Sequence, residues 1–357
     1  MNILLIRLRL IGDVVFTTPI IRAVRQRYPD ARLSYLVEAS AAPVVAANPH
    51  LSHIITAAHS RGWARVRDDV QLARALRRER FDLVIDLHGG PRSAWLAWAT
   101  RARRRVGYDV AGRSWMYTDV VHRPKGYRPR HAVENQWDLL RRVDPAFDRA
   151  PARDADRVEM AVDPRVRARL PQTLAALGVP GDARAIVLHV IAGNPFRRWP
   201  ESSFAAVAAD LCRAGDDRWV LVTAGPSDRD AASRVLADAR TRAGDSAARI
   251  VDAESLSLME LRALLDRGSL FIGGDSGPMH IAATSDVPMV GIYGPTRPER
   301  SAPWRPVSIP SAAVEPGALP CRPCDQRICA PGDFRCLAMV SASAVRDAAE
   351  RLLEPQP

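Results

Sequence analysis

The sequence predicts an α/β protein with two Rossmann-like doubly wound domains facing a central cleft. Short apolar runs typical of buried parallel strands alternate with longer segments of helical periodicity, and this alternation occurs twice. A stretch rich in proline and charge, at about residues 144–182, separates the two series. We therefore expect domains at 1–165 and 180–336, and a closing helical segment at 337–357 that packs back on the first domain.

The first series contains five predicted strands, and a helix follows most of them. The strands are bounded by turn residues, and several are continuous apolar runs of the kind found in parallel sheets. Ligands of such sheets bind beyond the carboxyl ends of the strands. The predicted strands are 2–7, 32–37, 53–55, 81–86 and 105–108, and the predicted helices are 14–28, 66–79 and 131–143.

The second series repeats this pattern after the linker. Its first strand is followed by a loop that contains glycine, asparagine and arginine, and its fourth strand ends in two glycines. The predicted strands are 185–189, 219–223, 249–252, 270–274 and 289–293. The predicted helices are 201–213, one after Asp228, 258–267, a short one from Pro278, and 345–353.

Composition excludes several classes of protein. The apolar fraction of 47% and charged fraction of 25% are those of a globular protein. No apolar run is long enough to cross a membrane, and arginines interrupt the N-terminal one, so we expect a cytoplasmic protein. The net charge of +11 comes almost entirely from arginines scattered along the chain, which does not favour nucleic-acid binding. It suits an acidic or phosphorylated substrate, including one at the inner membrane surface.

The most informative stretch is 270–284, where an apolar strand leads through a glycine-rich turn into a short helix. Glycines let the backbone approach a ligand, and a helix N-terminus attracts anions. Pro278 suits the first turn of that helix because its missing N–H is not needed there. The pattern favours a phosphate site, although an ordinary tight turn would use the same glycines. The candidate binding residues here are Gly274, Asp275, Ser276, Gly277 and His280.

Asp13 is the candidate catalytic residue. It follows Gly12 in the first strand–helix turn, where its carboxylate can face the cleft and remove a proton from a hydroxyl. The alternative is that Asp13 caps the following helix, and its spacing alone favours that alternative.

A second group of candidate binding residues follows the strands at 185–189 and 219–223. Arginine can pair with phosphate through two parallel hydrogen bonds, and aspartate can accept hydrogen bonds from ribose hydroxyls. The alternatives are a solvated basic loop and a helix-capping aspartate. The residues are Gly193, Asn194, Arg197, Arg198 and Asp228.

Two other patterns allow more than one interpretation. Residues 274–278 partly match the nucleophile motifs of serine hydrolases, but Pro278 replaces the last glycine and the context is strand–turn–helix. Four late cysteines could form a structural metal site, pair as disulfides or stay reduced, and their spacing is not that of a standard zinc ribbon. They are Cys321, Cys324, Cys329 and Cys336.

Taken together, four segments resemble the glycosyltransferase family 9 heptosyltransferases, and the resemblance runs through most of the chain. Each segment alone is a weak motif, but their order and spacing are specific. The segments are Ile6–Val14 with Thr17, Thr18 and Pro19; Gly193–Pro200; Gly273–Ala283; and Gly291–Thr296.

The resemblance implies the GT-B architecture of two Rossmann-like domains. It also implies an inverting transferase that moves heptose from ADP-heptose to a hydroxyl of the lipopolysaccharide inner core. Asp13 then stands at the position of the family's proposed catalytic base, which favours that role over capping of the following helix. Arg197 stands where the family commonly has a lysine that contacts the diphosphate. Asp275 would hold sugar hydroxyls, and the N–H groups of Ser276 and Gly277 would hold phosphate. No D-x-D-type metal motif stands where a metal would bridge the diphosphate, so we expect no cofactor and no required metal.

Other functions remain open at this point. The chain could use another nucleotide sugar or another acceptor, or bind a sugar nucleotide without catalysis. A sugar epimerase of the same architecture is disfavoured because Asp13 and its neighbours match the transferases. We expect a lipopolysaccharide acceptor at the inner membrane surface and no nucleic-acid partner.

Overall fold

The computed structural model describes residues 1–122 and 130–354, and the chain forms two units, Met1–Ala161 and Val162–Pro357. Within the described residues each unit contains a six-stranded sheet in which all neighbouring strands are parallel. This confirms the predicted fold class of two doubly wound α/β domains. The boundary between the units falls inside the predicted linker.

The first unit has the strand order β3-β2-β1-β4-β5-β6, which is that of dinucleotide-binding folds. Its strands are β1 (Asn2–Ile6), β2 (Arg32–Glu38), β3 (His53–Ala57), β4 (Leu83–Asp86), β5 (Arg104–Tyr108) and β6 (Asp119–Val121). Its helices are α1 (Ile11–Val15), α2 (Thr18–Arg27), α3 (Gly62–Arg78), α4 (Pro91–Ala99) and α5 (Ala132–Val143).

The second unit has the order β12-β11-β10-β7-β8-β9. Read in the opposite direction, with β7 counted as its first strand, this is the same order as in the first unit. Its strands are β7 (Arg184–His189), β8 (Arg218–Thr223), β9 (Ile250–Asp252), β10 (Leu270–Gly274), β11 (Met289–Ile292) and β12 (Ser311–Val314). Its helices are α6 (Pro164–Ala176), α7 (Glu201–Arg213), α8 (Arg229–Ala243), α9 (Leu258–Leu265), α10 (Gly277–Ala282), α11 (Pro298–Ser301), α12 (Arg335–Ala338) and α13 (Ala342–Leu353).

Each sheet therefore has one point at which the strand order reverses. It lies between β1 and β4 in the first unit and between β7 and β10 in the second. A crevice opens at such a point because the connecting helices leave in opposite directions, and ligands bind there. The segments that directly follow these four strands contain Asp13, His88, Arg197 and Asp275.

The sheet cores are built from the apolar runs. Residues 3–6 of β1 are completely buried, which explains why this strand reads as continuous apolar sequence rather than an alternating one. In the second unit Trp199 packs edge-on against Phe204, with ring centroids 4.8 Å apart. The Trp199 indole N–H also donates to the carbonyl of Val340 over 2.8 Å. This tryptophan therefore anchors the Gly193–Pro200 loop to the core.

The C-terminal helix departs from the expectation. Its apolar side, with Val345, Ala348, Ala349 and Leu353, belongs to the hydrophobic core of the second unit, not to the first domain as predicted. Arg184 donates to the carbonyl of Leu353, and Arg218 pairs with Glu350, so polar contacts hold the helix there as well. The amphipathic pattern predicted the helix but did not say which sheet it covers.

Six of the described elements were not predicted, among them the four-residue helices α11 and α12. α4 begins at Pro91, directly after two glycines, and α6 lies within the supposed linker, where Asp163 caps it and Pro171 stands inside it. The strands β6 and β12 are edge strands of three and four residues, too short to show a pattern. No helix in the described ranges combines the length and the apolar character needed to cross a bilayer.

Candidate functional site

The centre of the second-unit site is Asp275, the first residue after β10. Its side chain is only 3% exposed, and Ser276 after it is the N-cap residue of α10. Oδ2 of Asp275 accepts a hydrogen bond from the Thr296 hydroxyl over 2.6 Å and lies 3.3 Å from Nη1 of Arg197. Nε2 of His280 lies 3.3 Å from Oδ1. The turn thus forms a buried polar cluster rather than an ordinary tight turn.

The pKa of Asp275 shows how strongly this cluster favours the charged form. Burial by itself would raise the pKa of the carboxyl group. The contact with His280, the charge of Arg197 and the Thr296 hydroxyl outweigh that effect and lower the pKa to about 2. Asp275 is therefore a fixed anion that positions cationic neighbours, and direct contact of its carboxylate with sugar hydroxyls stays a prediction.

Arg197 lies at the end of a single helical turn, Pro195–Arg197, in the loop after β7. Its Nη1 donates to the backbone carbonyl of Asp275 over 2.9 Å, and its Nε donates to Oε1 of Gln326 over 2.7 Å. The side chain is 29% exposed, so part of the guanidinium faces solvent. The loop is therefore not simply solvated, because Arg197 is held at two of its nitrogens and keeps donors for an anion.

Arg198 and Asp228 form a second pair, with Nη2 of Arg198 donating to Oδ1 of Asp228 over 2.9 Å. Asp228 stands at the N-cap position of α8 but makes no capping hydrogen bond with its side chain. The capping alternative for Asp228 is therefore wrong. Its buried carboxylate instead holds Arg198, whose Nε donates to the carbonyl of Ala192.

The remaining predicted residues of this unit line the same two loops. Asn194 accepts from the N–H of Phe196 and donates to Gln326 over 2.8 Å, whereas Gly193 is exposed and a side chain there would meet open space. The hydroxyl of Ser276 is buried and has no hydrogen-bond partner among the residues that the structure describes. Gly277 is the first residue of α10.

Two residues of this cluster escaped prediction, Thr296 and Gln326. Thr296 was visible in the sequence as the last residue of a family segment, although its role was not. Gln326 lies 129 residues after Arg197 and accepts hydrogen bonds from both Arg197 and Asn194. No local sequence signal joins it to them.

The cysteines that flank Gln326 are all thiols, since the described cysteines form no disulfide. Burial, and then the neighbouring Cys324 and Cys321, raise the pKa of the Cys336 thiol. Within residues 1–122 and 130–354, no three His, Cys, Asp or Glu side chains are arranged to hold one metal ion.

In the first unit Asp13 lies in α1, three residues after the N-cap residue Leu10. Oδ2 of Asp13 lies 2.5 Å from Nη2 of Arg7 and accepts a long hydrogen bond of 3.4 Å from the N–H of Leu10. Asp13 is thus not the N-cap residue, although it reaches back toward the cap. Its side chain is 36% exposed, so an oxygen can reach a substrate.

The end of β4 and the loop after it supply two further residues that the sequence did not single out, Asp86 and His88. Asp86 is fully buried, accepts from the N–H groups of His88 and Gly89, and accepts from the Tyr117 hydroxyl over 2.6 Å. Burial and the charge of Arg7 lower the pKa of His88, so its ring is neutral at pH 7. Nη1 of Arg7 donates to the carbonyl of Leu87 over 2.7 Å, so the segments after β1 and β4 are in direct contact.

These two loop groups can perform different chemistry. The first offers a half-exposed carboxylate that a guanidinium orients, as a general base requires. The second offers arginine side chains that buried carboxylates hold in place, as the binding of a diphosphate requires.

Comparison with known proteins finds heptosyltransferases and a family 9 glycosyl transferase that match nearly the whole chain. The chain is 26% identical to lipopolysaccharide heptosyltransferase 3 of Escherichia coli, over 97% of each protein. It superposes on a glycosyl transferase family 9 structure from Veillonella parvula with a TM-score of 0.80, at 23% identity and over 99% and 97% of the two chains. It also superposes on the E. coli heptosyltransferase WaaC with ADP-2-deoxy-2-fluoro heptose, with a TM-score of 0.69, 20% identity and coverage of 97% and 98%.

The family model for glycosyltransferase family 9 matches residues 70–330, which include Arg197, Asp275 and the buried cluster around them. The match covers well over half of the chain. The chain therefore belongs to glycosyltransferase family 9 (heptosyltransferase), and it is a glycosyltransferase.

Proposed function

We propose that this glycosyltransferase moves heptose from ADP-heptose to a hydroxyl of the lipopolysaccharide inner core, with inversion at the anomeric carbon. The observation that carries the proposal is the buried Asp275 cluster, in which a fixed anion holds Arg197 at the end of β10. The names of the relatives support the sugar and the acceptor. The ADP-heptose analogue in one structural neighbour supports the nucleotide.

The donor is bound by the second unit in this proposal. Arg197 and Arg198 pair with the diphosphate, and their own carboxylate partners keep them from turning away into solvent. The unpartnered hydroxyl of Ser276 and the first N–H groups of α10 add hydrogen bonds to the phosphate oxygens. As the bond to the anomeric carbon breaks, these groups stabilise the charge that develops on the leaving ADP.

The acceptor is activated by the first unit. Asp13 takes the proton of the acceptor hydroxyl, the oxygen attacks the anomeric carbon, and ADP leaves with the electron pair of the broken bond. Arg7 orients the carboxylate during this step. Since arginines supply the positive charge, we expect transfer to proceed without a divalent metal and to continue in EDTA.

A donor panel tests the proposal. ADP, UDP, GDP and their sugar conjugates are compared by thermal shift, and each stabilising conjugate is then tested for transfer to a heptose-deficient inner core by mass spectrometry. ADP and ADP-heptose should raise the melting temperature, and a heptose should be added to the core. Stabilisation by uridine or guanosine sugars alone would overturn the donor, and binding of ADP-heptose without transfer would overturn the catalytic role.

A further inference from the structure

One face of the first unit exposes large apolar side chains among arginines. Trp63 is 89% exposed, Val66 is 54% exposed and Trp98 is 42% exposed. Trp98 and Trp115 meet edge-on, with ring centroids 5.8 Å apart, and Trp115 is 64% exposed. We define the α3–α4 face by these and the adjoining residues: Trp63, Val66, Val70, Arg74, Arg77, Trp98, Arg101 and Trp115.

Helical geometry places the α3 members of this face on one stripe. Positions 63, 66, 70, 74 and 77 recur at intervals of three and four residues, which keeps them on one side of a helix. Ala73 and Leu76 are buried in the core and fix the orientation of the helix. The C-terminal half of the stripe lines a shallow groove against α4, which Trp98 and Arg101 also line.

The arginines of this face lack the carboxylate partners that many other arginines of the unit have. Arg22, Arg32 and Arg92, for example, pair with carboxylates at 2.6–2.9 Å. Arg74, Arg77 and Arg101 take part in no ion pair between residues that the structure describes, and no acidic residue lines the groove.

The two acidic residues of α3 do not compensate these arginines. Asp68 is engaged by Ser60 and Arg67, and Asp69 is engaged by Arg92. The face therefore carries net positive charge around an exposed apolar stripe.

We propose that the α3–α4 face docks on an anionic phospholipid bilayer. Tryptophan prefers the bilayer interface, where its ring is apolar and its N–H stays hydrated, and arginine binds headgroup phosphates. A helix with a basic and an apolar side lies in the plane of that interface. The link to lipopolysaccharide rests on the proposed function, because a lipid-borne acceptor is reached from the membrane surface.

The rest of the surface gives a matched control. Val307 is 84% exposed and lies in the second unit, where no tryptophan is among the exposed large apolar side chains of the described residues. Arg165, Arg169 and Arg351 are exposed, also lie in the second unit and form no ion pair between described residues. Replacing these three arginines removes as much positive charge as the variant of the α3–α4 face does, but at positions far from that face in the sequence.

Vesicle flotation of the full chain tests the proposal, using phosphatidylglycerol–phosphatidylethanolamine vesicles and phosphatidylcholine vesicles. The wild type should float with the first and not with the second. The triple variant Arg74→Gln/Arg77→Gln/Arg101→Gln should bind roughly a hundredfold more weakly, at about fivefold for each arginine. Trp63→Ala should weaken binding roughly tenfold. Arg165→Gln/Arg169→Gln/Arg351→Gln and Val307→Ala should bind almost as the wild type does.

Three results would overturn the proposal. The wild type could fail to bind anionic vesicles, or the control triple variant could lose as much vesicle binding as the face variant. Alternatively, the face variants could keep vesicle binding but lose binding to duplex DNA or self-association, which would assign the face to another partner. ADP binding and transfer to a delipidated acceptor are measured on the same variants. Both should be unchanged, since the face contains none of the residues assigned to the reaction. Failure of those assays in the wild type would count against the proposed function and not against the membrane face.

Discussion

Asp86 and Asp275 occupy equivalent places in the two sheets, at the end of the strand beside the reversal of strand order, yet their partners differ. Asp86 accepts from two backbone N–H groups and from the Tyr117 hydroxyl, all of which are neutral. Asp275 accepts from Thr296 and faces Arg197 and His280. Asp86 fixes the conformation of its own loop, whereas Asp275 holds the side chains of Arg197 and His280.

The same contrast extends to the neighbouring loops. In the first unit the helix after β1 presents a half-exposed carboxylate, Asp13, beside Arg7. In the second unit the loop after β7 brings arginines instead, and buried carboxylates hold them. In the proposed mechanism, one topology thus supplies a proton acceptor in one unit and a receptor for negative charge in the other. Similar backbones do not imply similar chemistry.

The largest effect should come from Asp13→Asn. If the first unit supplies the base, transfer should fall by roughly a thousandfold, within the range of general base catalysis, while ADP affinity stays the same. Transfer rates under saturating donor and calorimetric titration with ADP measure the two. Transfer within tenfold of the wild type would remove Asp13 from the mechanism, and a parallel loss of ADP affinity would break the division between the units.

Asp275→Asn and Asp86→Asn test the contrast between the two buried carboxylates directly. Asp275→Asn leaves Arg197 and His280 without their anion, so it should destabilise the protein by about 3 kcal/mol and weaken ADP binding. Asp86→Asn keeps acceptors for the backbone N–H groups and should cost about 1 kcal/mol without changing ADP affinity. Urea unfolding and ADP titration measure both. Equal effects of the two variants on ADP affinity would contradict the contrast.

Acid should destabilise the second unit in two steps. His189 is buried at the end of β7, and burial lowers its pKa to about 4. The unfolded state therefore binds a proton at this residue more tightly than the folded state does, and the free energy of unfolding falls as the pH drops from 6.5 toward 4. Between pH 7 and pH 4.5 this residue should account for about 2–3 kcal/mol. The pKa of Asp275 is lowered, so its contribution is present above pH 4 and is lost as the pH falls toward 2.

His189→Gln isolates the first of these steps. The free energy of unfolding should change less between pH 7 and pH 4.5 in this variant than in the wild type, whatever its effect at pH 7. An unchanged pH dependence would show that His189 is not held neutral by burial.

A smaller effect is expected from Gln326→Asn. Gln326 has a left-handed backbone (φ 58°), which asparagine tolerates, but asparagine is one methylene too short to reach Arg197. The donor KM should rise roughly tenfold with kcat within about threefold, because a hydrogen bond to a charged group is lost. Ile328→Ala, an exposed neighbour, is the control. Unchanged donor KM in Gln326→Asn would show that the Cys321–Cys336 segment is not part of the donor site.

Local patterns were sufficient for most of the fold. The fully buried strands β1, β4 and β10 were recognisable as apolar runs, and the alternation of strands and helices predicted two parallel sheets. Short edge strands such as β12 have no such run, and they form only because a neighbouring strand offers backbone partners. α6 was missed because proline and charge suggested a linker, while Asp163 and Pro164 in fact begin the helix.

The candidate site was predictable to the extent that its residues lie at strand ends. Arg197 and Asp275 were found in this way, and the structure joins them. Gln326 could not be found, because its contact with Arg197 depends on how a distant segment folds back. Asp228 was assigned two alternatives, and only the structure shows that its partner is Arg198 rather than the helix end.

The placement of α13 has a consequence for the order in which the chain matures during synthesis. All strands of the first sheet have been translated by residue 121, and their unit ends at Ala161. The second sheet is translated by residue 314, but Val345, Ala348, Ala349 and Leu353 still have to cover its apolar side. Until they leave the ribosome, that surface stays open to chaperones and to aggregation, whereas the first unit can already fold.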